Sequence, residues 1–391
     1  MTASPLRITL VGTAHPMRGG LAQFNAALCF ALQARGHEVE LISFTRQYPG
    51  ILFPGKSQFD SSQDTHAFPA IPMVDSIGPR SWLRAAHHIA RRRPHGLLFK
   101  YWMPFFAPAF GTIARKVKRN GETRVVSILD NVVPHERRPG DIVLTRYFLR
   151  SVDGFLAMSR SVRADLERLQ PGAPCELVPH PVYDLFGERI DKNEARRRLG
   201  LPEGEPLLLF FGFVRDYKGL DLLLDALPRI RERIPARLLV LGEFYSGKDR
   251  TLEQIQKLGL ADAVTLEDGY VPNERVGLYF SAADVVVLPY RSATQSGIVP
   301  IAYQLERPVI CTDVGGLAEV VEHGRTGLIC PPLDVEALAQ SVLRFYEEDL
   351  EDRFVTRIRE KRVEYSWDRM AEAVERMIGS TGLATGQGMQ P

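Results

Sequence analysis

The sequence predicts an α/β chain of two doubly wound parallel-sheet domains facing each other across a cleft. Three observations predict it. Short apolar strands alternate with amphipathic helices from residue 6 onward, the mark of repeated βαβ units. The alternation restarts after residue 200, beyond a stretch dense in turn signals. The 391 residues exceed the roughly 100–200 of a single domain.

The elements follow in order. Leu6–Val11 is a short strand with β-branched residues, and a glycine-containing loop runs from Gly12 to Gly20. Leu21–Ala34 is apolar and Ala-rich at helical spacing, and Arg35-Gly36 ends it. Val39–Ser43 completes the first βαβ unit. In the second half Leu207–Phe211 is a strongly apolar strand, and Asp221–Ile230 a helix with Leu222, Leu223, Ala226, Leu227 and Ile230 on one face. Leu238–Leu241, Val264–Leu266, Val285–Leu288 and Pro308–Cys311 read as further buried strands, and Asp334 as the N-cap of a helix over Val335–Phe345. Between the halves, Pro171–Gly204 carries Pro-Gly, Val-Pro-His-Pro and Leu-Pro-Glu-Gly. The expected boundaries are therefore a first domain over 1–185, a second over 186–366, a last amphipathic helix over 367–378 and a disordered Gly/Ser/Thr/Gln-rich tail over 379–391.

Composition narrows the class. Apolar residues make up 45% and charged residues 25%, the balance of a globular protein rather than a fibrous or disordered one. No apolar run reaches the roughly 18 residues of a membrane span, and Met1 to Ile8 has no secretory pattern, so the expectation is a cytoplasmic protein. The cysteines 29, 175, 311 and 330 form no C-x-x-C and read as free thiols. The net charge of +2 conceals an asymmetry: residues 1–180 hold 23 Lys and Arg against 13 Asp and Glu, the remainder 26 against 34. A basic first half favours an anionic acceptor or membrane surface, although opposite fields also help two domains dock.

Ligands of open parallel sheets bind outside the carboxyl ends of the strands, so the loops there carry the chemistry. After the strand ending at Phe211 comes Gly212, then Arg215 and Lys218 beside a helix start. Two cations next to unpaired helix amides suit a diphosphate, although a solvated basic loop has the same spelling. The loop Tyr290–Ile298 offers Thr294, Gln295, Ser296, Gly297 and Ile298 at the next helix start, where Ser296 either meets phosphate or merely caps the helix. The loop Thr312–Gly316 pairs two glycines ahead of Glu319, which otherwise only complements a helix dipole. In the first half Thr13–Gly20 is not G-x-G-x-x-G, and the strand ending near Ser43 lacks the acidic residue a nicotinamide nucleotide wants, which argues against a dehydrogenase.

In their order and spacing these motifs resemble those of the retaining GT-B glycosyltransferases of family 4 (GT4, glycosyl transferases group 1). The resemblance covers nearly the whole chain: Arg18-Gly19-Gly20, Arg35 to Val39, Gly212 to Gly219, Ala283 to Tyr290, Pro308 to Gly316 with Glu319, Gly324 to Gly327, and Ser366-Trp367-Asp368. It implies Rossmann-like domains, the second holding a nucleotide sugar. It implies that Arg215 and Lys218 act catalytically by clamping the diphosphate, that Gly19, Gly20, Gly212, Tyr270 and Val271 join residues 294–298 in donor binding, and that no metal or other cofactor is needed. There is no D-x-D in the chain. The acceptor is expected to be a saccharide or a lipid-linked saccharide, not a nucleic acid, contacted by His15, Arg18 and Asn131.

The chain departs from the family pattern in two places. The pair of glutamates common in the family falls on Ala293 and Ile301. The histidine expected at the end of a first-domain strand is replaced by Asp130 or Asn131, with His135 shortly after, so Asp130 and His135 stand as catalytic candidates. Two other readings share the fold, a sugar-nucleotide 2-epimerase and a non-catalytic partner subunit; the retained Arg215 and Lys218 oppose the latter. Finally, Phe99–Phe110 is rich in aromatics and is followed by Arg115, Lys116, Lys118 and Arg119. This reads as a segment docking peripherally on an anionic membrane, or as a core helix with a solvated basic end.

Overall fold

The computed structural model describes residues 4–17, 19–49, 59, 67–133, 138–182, 186–293 and 296–379. Among them, the first half forms β1 (Arg7–Val11), β2 (Glu38–Arg46), β3 (Ala70–Asp75), β4 (Gly96–Tyr101), β5 (Arg124–Leu129), β6 (Gly154–Ala157) and β7 (Cys175–Leu177). These pair in parallel in the order β3-β2-β1-β4-β5-β6-β7. The second half forms β8 (Leu207–Phe211), β9 (Arg237–Leu241), β10 (Val264–Glu267), β11 (Val285–Leu288), β12 (Val309–Thr312) and β13 (Gly327–Cys330), parallel in the order β10-β9-β8-β11-β12-β13. In each sheet the order reverses beside the first strand, between β1 and β4 and between β8 and β11. Such a switch point splays the loops at the strand ends and opens a crevice.

The first-half helices are α1 (Gly20–Ala34), α2 (Pro79–Arg92), α3 (Ala107–Val117), α4 (Asp141–Leu149) and α5 (Arg160–Leu169). The second half adds α6 (Lys192–Leu199), α7 (Leu220–Arg231), α8 (Lys248–Lys257), α9 (Asn273–Ala282), α10 (Ile298–Gln304), α11 (Leu317–Val320), α12 (Val335–Glu347), α13 (Glu351–Lys361) and α14 (Trp367–Gly379). Asp334 caps α12, its carboxylate accepting from the Ala337 amide at 2.9 Å. Cys29, Cys175, Cys311 and Cys330 are free. No helix among the described residues is long and apolar enough to cross a membrane.

Helices α2 to α5 share one core with the first sheet, while α1 and α14 pack on its other face. Helix α14 therefore returns to the first half. Gly96 and Gly154 open β4 and β6 where Ile378 and Met377 press against the sheet; a side chain at either glycine would collide with them. The Arg35-Gly36-His37 sequence also acquires a purpose. Arg35 binds both oxygens of Glu375 at 2.6 and 3.0 Å, and the His37 ring meets the same carboxylate at 2.8 Å. This pairing, 340 residues apart in sequence, anchors the returning helix.

Of the two readings of Phe99–Phe110, the structure favours the core, although the segment is not one helix: Phe99 and Tyr101 end β4, residues 104–106 form a short 3-10 turn, and α3 begins at Ala107. Phe99, Tyr101, Phe106 and Phe110 are fully buried and pack against one another and Phe148. The aromatics build the layer between sheet and helices because β4 lies in the middle of the sheet, where both faces are covered.

Candidate active site

The loop after β8 carries two cations, Arg215 and Lys218, at the end of a central strand of the second sheet. A short 3-10 turn over Asp216–Lys218 tucks the Lys218 side chain inward until the residue is only 8% exposed. Its ammonium lies 5.5 Å from the centre of the Tyr290 ring, and burial, followed by the charge of Arg215, pushes its pKa down to about 8. Arg215 stacks 4.0 Å over Tyr245, which meets Phe213 edge-on. Neither cation has a carboxylate partner among the described residues. Gly212 makes the geometry possible: its φ is +100°, and a Cβ there would stand 3.0 Å from the Lys218 ammonium. A buried cation without a counter-ion is costly, and an anionic ligand removes that cost.

The neighbouring loop is held differently. Arg291 is locked to Asp221 and to the Asp216 carbonyl, so it braces the turn. Thr312 donates to the Tyr290 carbonyl at 2.6 Å. The Ser296 hydroxyl accepts from the Ile298 amide at 3.2 Å in the turn ahead of α10, whose N-cap residue is Gly297. Thr294 and Gln295 lie outside the described residues. Ala293 and Ile301, where the family pattern has carboxylates, are buried in the core. Tyr270 donates to Asn273 at 3.3 Å, Val271 packs partly buried beside it, and Asn273 also accepts from Gln23 of α1 at 2.7 Å, a bond that crosses the cleft.

On the opposite wall, Asp130 follows β5 and accepts from the Lys100 ammonium at 2.7 Å. Lys100 is 2% exposed, its ammonium 3.5 Å over the Phe24 ring. Burial lowers its pKa and Asp130 works against that shift. His180 packs edge-on to Phe24, and burial, reinforced by the positive charge of Lys100, pushes its pKa down to about 4, so the ring is neutral at pH 7. Asp130 is thus half of a buried ion pair rather than an isolated carboxylate. Sequence reasoning missed Lys100, although its signal was present: a lone lysine at the end of the apolar run Leu97-Leu98-Phe99. Asn131 reaches the Trp102 carbonyl at 3.5 Å. His15 is exposed and lines a small cavity with Met17, Gly19, Gln23 and Phe68, and Gly20 opens α1 beside it. His135 and Arg18 lie outside the described residues. Tyr48 accepts from Trp102 at 3.1 Å and lies within electrostatic reach of Arg215 and Tyr245 on the facing wall.

Glu319 is the second residue whose role the sequence did not reveal. It stands on α11, beyond Gly315 and Gly316, and its carboxylate accepts from the Arg160 and Ser161 amides at 2.6 and 3.1 Å. It therefore complements the amino end of α5 in the other half, not that of its own helix.

Two parallel-sheet halves facing a cleft, with cations on one wall that lack a carboxylate partner among the described residues and an ion pair on the other, have the architecture of the GT-B fold. Comparison with known proteins agrees. The model of Glycosyltransferase Family 4 matches residues 18–184, and that of Glycosyl transferases group 1 matches residues 205–348. The chain is 27% identical over 348 residues to a D-inositol 3-phosphate glycosyltransferase of Pseudarthrobacter chlorophenolicus, covering 80% of this chain and 78% of that one. It is 30% identical over 251 residues to the putative teichuronic acid biosynthesis glycosyltransferase TuaC of Bacillus subtilis, covering 63% and 61%. Among solved structures, sucrose-phosphate synthase from Thermosynechococcus elongatus superposes with a TM-score of 0.76 at 21% identity, over 96% of this chain and 98% of that one. Anabaena Alr3699/HepE in complex with UDP-glucose gives 0.75 at 15%, over 96% and 100%. The chain belongs to the GT4-type glycosyltransferases and is an enzyme of that class.

Proposed function

We propose that the chain transfers a sugar from a nucleoside-diphosphate sugar to a saccharide or lipid-linked acceptor, with retention at the anomeric carbon and without a metal. The observation that carries this is the pair Arg215 and Lys218 in the loop after β8, which has no carboxylate partner among the described residues. That pair suits a diphosphate, and it supplies the positive charge a metal otherwise brings to the leaving group. HepE, a structural neighbour, is described with UDP-glucose, which supports the donor class. The acceptor oxygen attacks the anomeric carbon from the face the diphosphate leaves. The carbon–oxygen bond to phosphate breaks as the new one forms, and a donor phosphate oxygen takes the acceptor proton. Arg215 and Lys218 stabilise the charge growing on the departing diphosphate, where one positioned donor is worth about 10²–10³ in rate. The chain works in the cytoplasm, peripherally on a membrane that presents the acceptor.

Thermal shift with UDP, GDP, ADP and CDP tests the donor site. One nucleotide at about 100 times its Kd adds about 2.7 kcal/mol. The reading requires that shift, and requires it to vanish in Arg215→Ala/Lys218→Ala. No stabilisation by any of the four overturns it and favours a non-catalytic partner subunit.

A further inference from the structure

Just past the carboxyl ends of β2 and β4 stands a group of rings that the core does not fully absorb. Phe44, Phe106 and Phe110 are buried, but Tyr48, Trp102 and Phe105 are half-buried, and all three pack on Phe106 with ring centres 5.4, 4.3 and 5.0 Å from it. These outer rings are held in place. Tyr48 and Phe105 lie nearly parallel, 6.2 Å apart with 19° between their planes. The Trp102 indole N–H donates to the Tyr48 hydroxyl at 3.1 Å, and that hydroxyl donates to the Met103 sulfur at 3.6 Å. The group faces the second half, where Tyr48 feels the charge of Arg215 and lies within electrostatic reach of Tyr245. On that wall Phe213 and Tyr245, also half-buried, meet edge-on at 4.9 Å, with the Arg215 guanidinium over the Tyr245 ring. Rings from both halves therefore line one stretch of the cleft beside the two cations. The charges flanking Trp102 in the first half cancel: Lys100, at the end of β4, is paired with Asp130, and the next residue, Asn131, reaches the Trp102 carbonyl.

We infer that this aromatic wall is a subsite for an uncharged pyranose ring of the acceptor, with Trp102 as the residue that sets specificity and Tyr48 and Phe105 as its support. The inference deepens the proposed transfer reaction and rests on it. A pyranose has a face of C–H bonds and a rim of hydroxyls. The C–H face packs on aromatic carbon, while the rim needs the polar atoms that Tyr and Trp keep at their edges. Rings fixed before the ligand arrives lose little freedom on binding it. Position separates acceptor from donor: the cations that suit a diphosphate lie in the second half, and Tyr48, Trp102 and Phe105 lie in the first. Charge separates a neutral acceptor from an anionic one. Arg215 is engaged by the donor in the proposed reaction and Lys100 by Asp130, so a phosphorylated acceptor would meet no available cation at these rings among the described residues.

Release of nucleoside diphosphate from UDP-glucose, GDP-mannose and ADP-glucose, offered in turn to the full chain, tests this. The acceptors are the methyl pyranosides of glucose, galactose, mannose and N-acetylglucosamine, and glucose 6-phosphate. At least one methyl pyranoside is expected to accelerate release, and glucose 6-phosphate is not. Trp102→Ala is expected to raise the KM for that pyranoside on the order of tenfold with a smaller change in kcat, and Trp102→Phe to restore most of it. Both should keep the thermal shift produced by the nucleoside diphosphate. Trp102→Leu, which keeps an apolar contact with Phe106 but has no flat ring, is expected to match the alanine variant and serves in its place if that variant fails to fold. A wild type that no nucleotide stabilises and that turns over no donor overturns the transferase reading, and the subsite with it. Stabilisation by a nucleotide without acceleration by any pyranoside, or with glucose 6-phosphate as the better acceptor, overturns the subsite alone. So does an unchanged pyranoside KM in Trp102→Ala and Trp102→Leu. Loss of the nucleotide shift in those variants would assign the rings to the donor base and also overturn the proposal.

Discussion

Two buried lysines, one on each wall of the cleft, have opposite surroundings. Lys100 is sealed beneath Phe24 and paired with Asp130. Lys218 is nearly as buried, but the charge that acts on it is that of another cation, Arg215. A lysine with its own carboxylate holds the protein together. One without a carboxylate is held for something that arrives from solution. The comparison separates a structural charge from a functional one on a physical criterion, the presence of a resident counter-ion.

The largest expected effect breaks the functional side. Lys218→Ala or Arg215→Ala should each reduce kcat by about 10²–10³ while leaving the melting temperature of the free protein unchanged or raised, because the lost charge had no partner. A melting temperature several degrees lower would show that Lys218 is structural after all. The opposite pattern is expected of Lys100→Met. It strands Asp130 and should cost about 3–5 kcal/mol, read as a fall in denaturant midpoint, and Lys100→Met/Asp130→Leu should recover part of the loss. If the single variant is as stable as wild type, the pair is not the brace described.

The pH response sharpens the contrast. The Lys218 pKa of about 8 in the folded chain lies below its ordinary 10.5. The folded state releases this proton first, so its contribution to stability rises with pH between about 8 and 10.5. Anion binding runs the other way, since the ammonium that attracts the diphosphate is lost above about pH 8. The thermal shift produced by the cognate nucleoside diphosphate should shrink between about pH 7.5 and about pH 9.5, and should hold in Lys218→Arg, whose guanidinium stays charged. An identical profile in both proteins would exclude Lys218 as the group responsible.

The smallest effect concerns closure. Glu319→Gln removes the charge that sits on the amino end of α5, at a cost of about 1 kcal/mol. Small-angle scattering should then report a larger radius of gyration for the free protein, and the KM for donor should rise a few-fold. An unchanged radius would mean that the contact contributes nothing to holding the halves together.

How much was legible in the sequence follows from distance along the chain. Arg215, Lys218 and Gly212 lie within one loop, so their chemistry could be read as a unit. Lys100 and Asp130 are 30 residues apart, Glu319 and Arg160 are 159 apart, and Arg35 and Glu375 are 340 apart. No local pattern announces such pairs. The aromatic segment stayed open between two readings for a related reason: a run of Phe, Tyr and Trp has the same composition in a core as on a membrane-binding face, and only the central position of β4 decides which it is.

By itself, then, the sequence determined the alternation of strand and helix, the division into two parallel sheets and the loop that carries the two cations. These depend on periodicity and on neighbours within a few residues, which the order of amino acids states directly. The tertiary structure alone decided which charges are neutralised and which wait for a ligand, and which aromatics are core and which stand at the cleft. Burial and counter-ions are properties of the space around a side chain, and that space is filled by residues the chain brings back from far away.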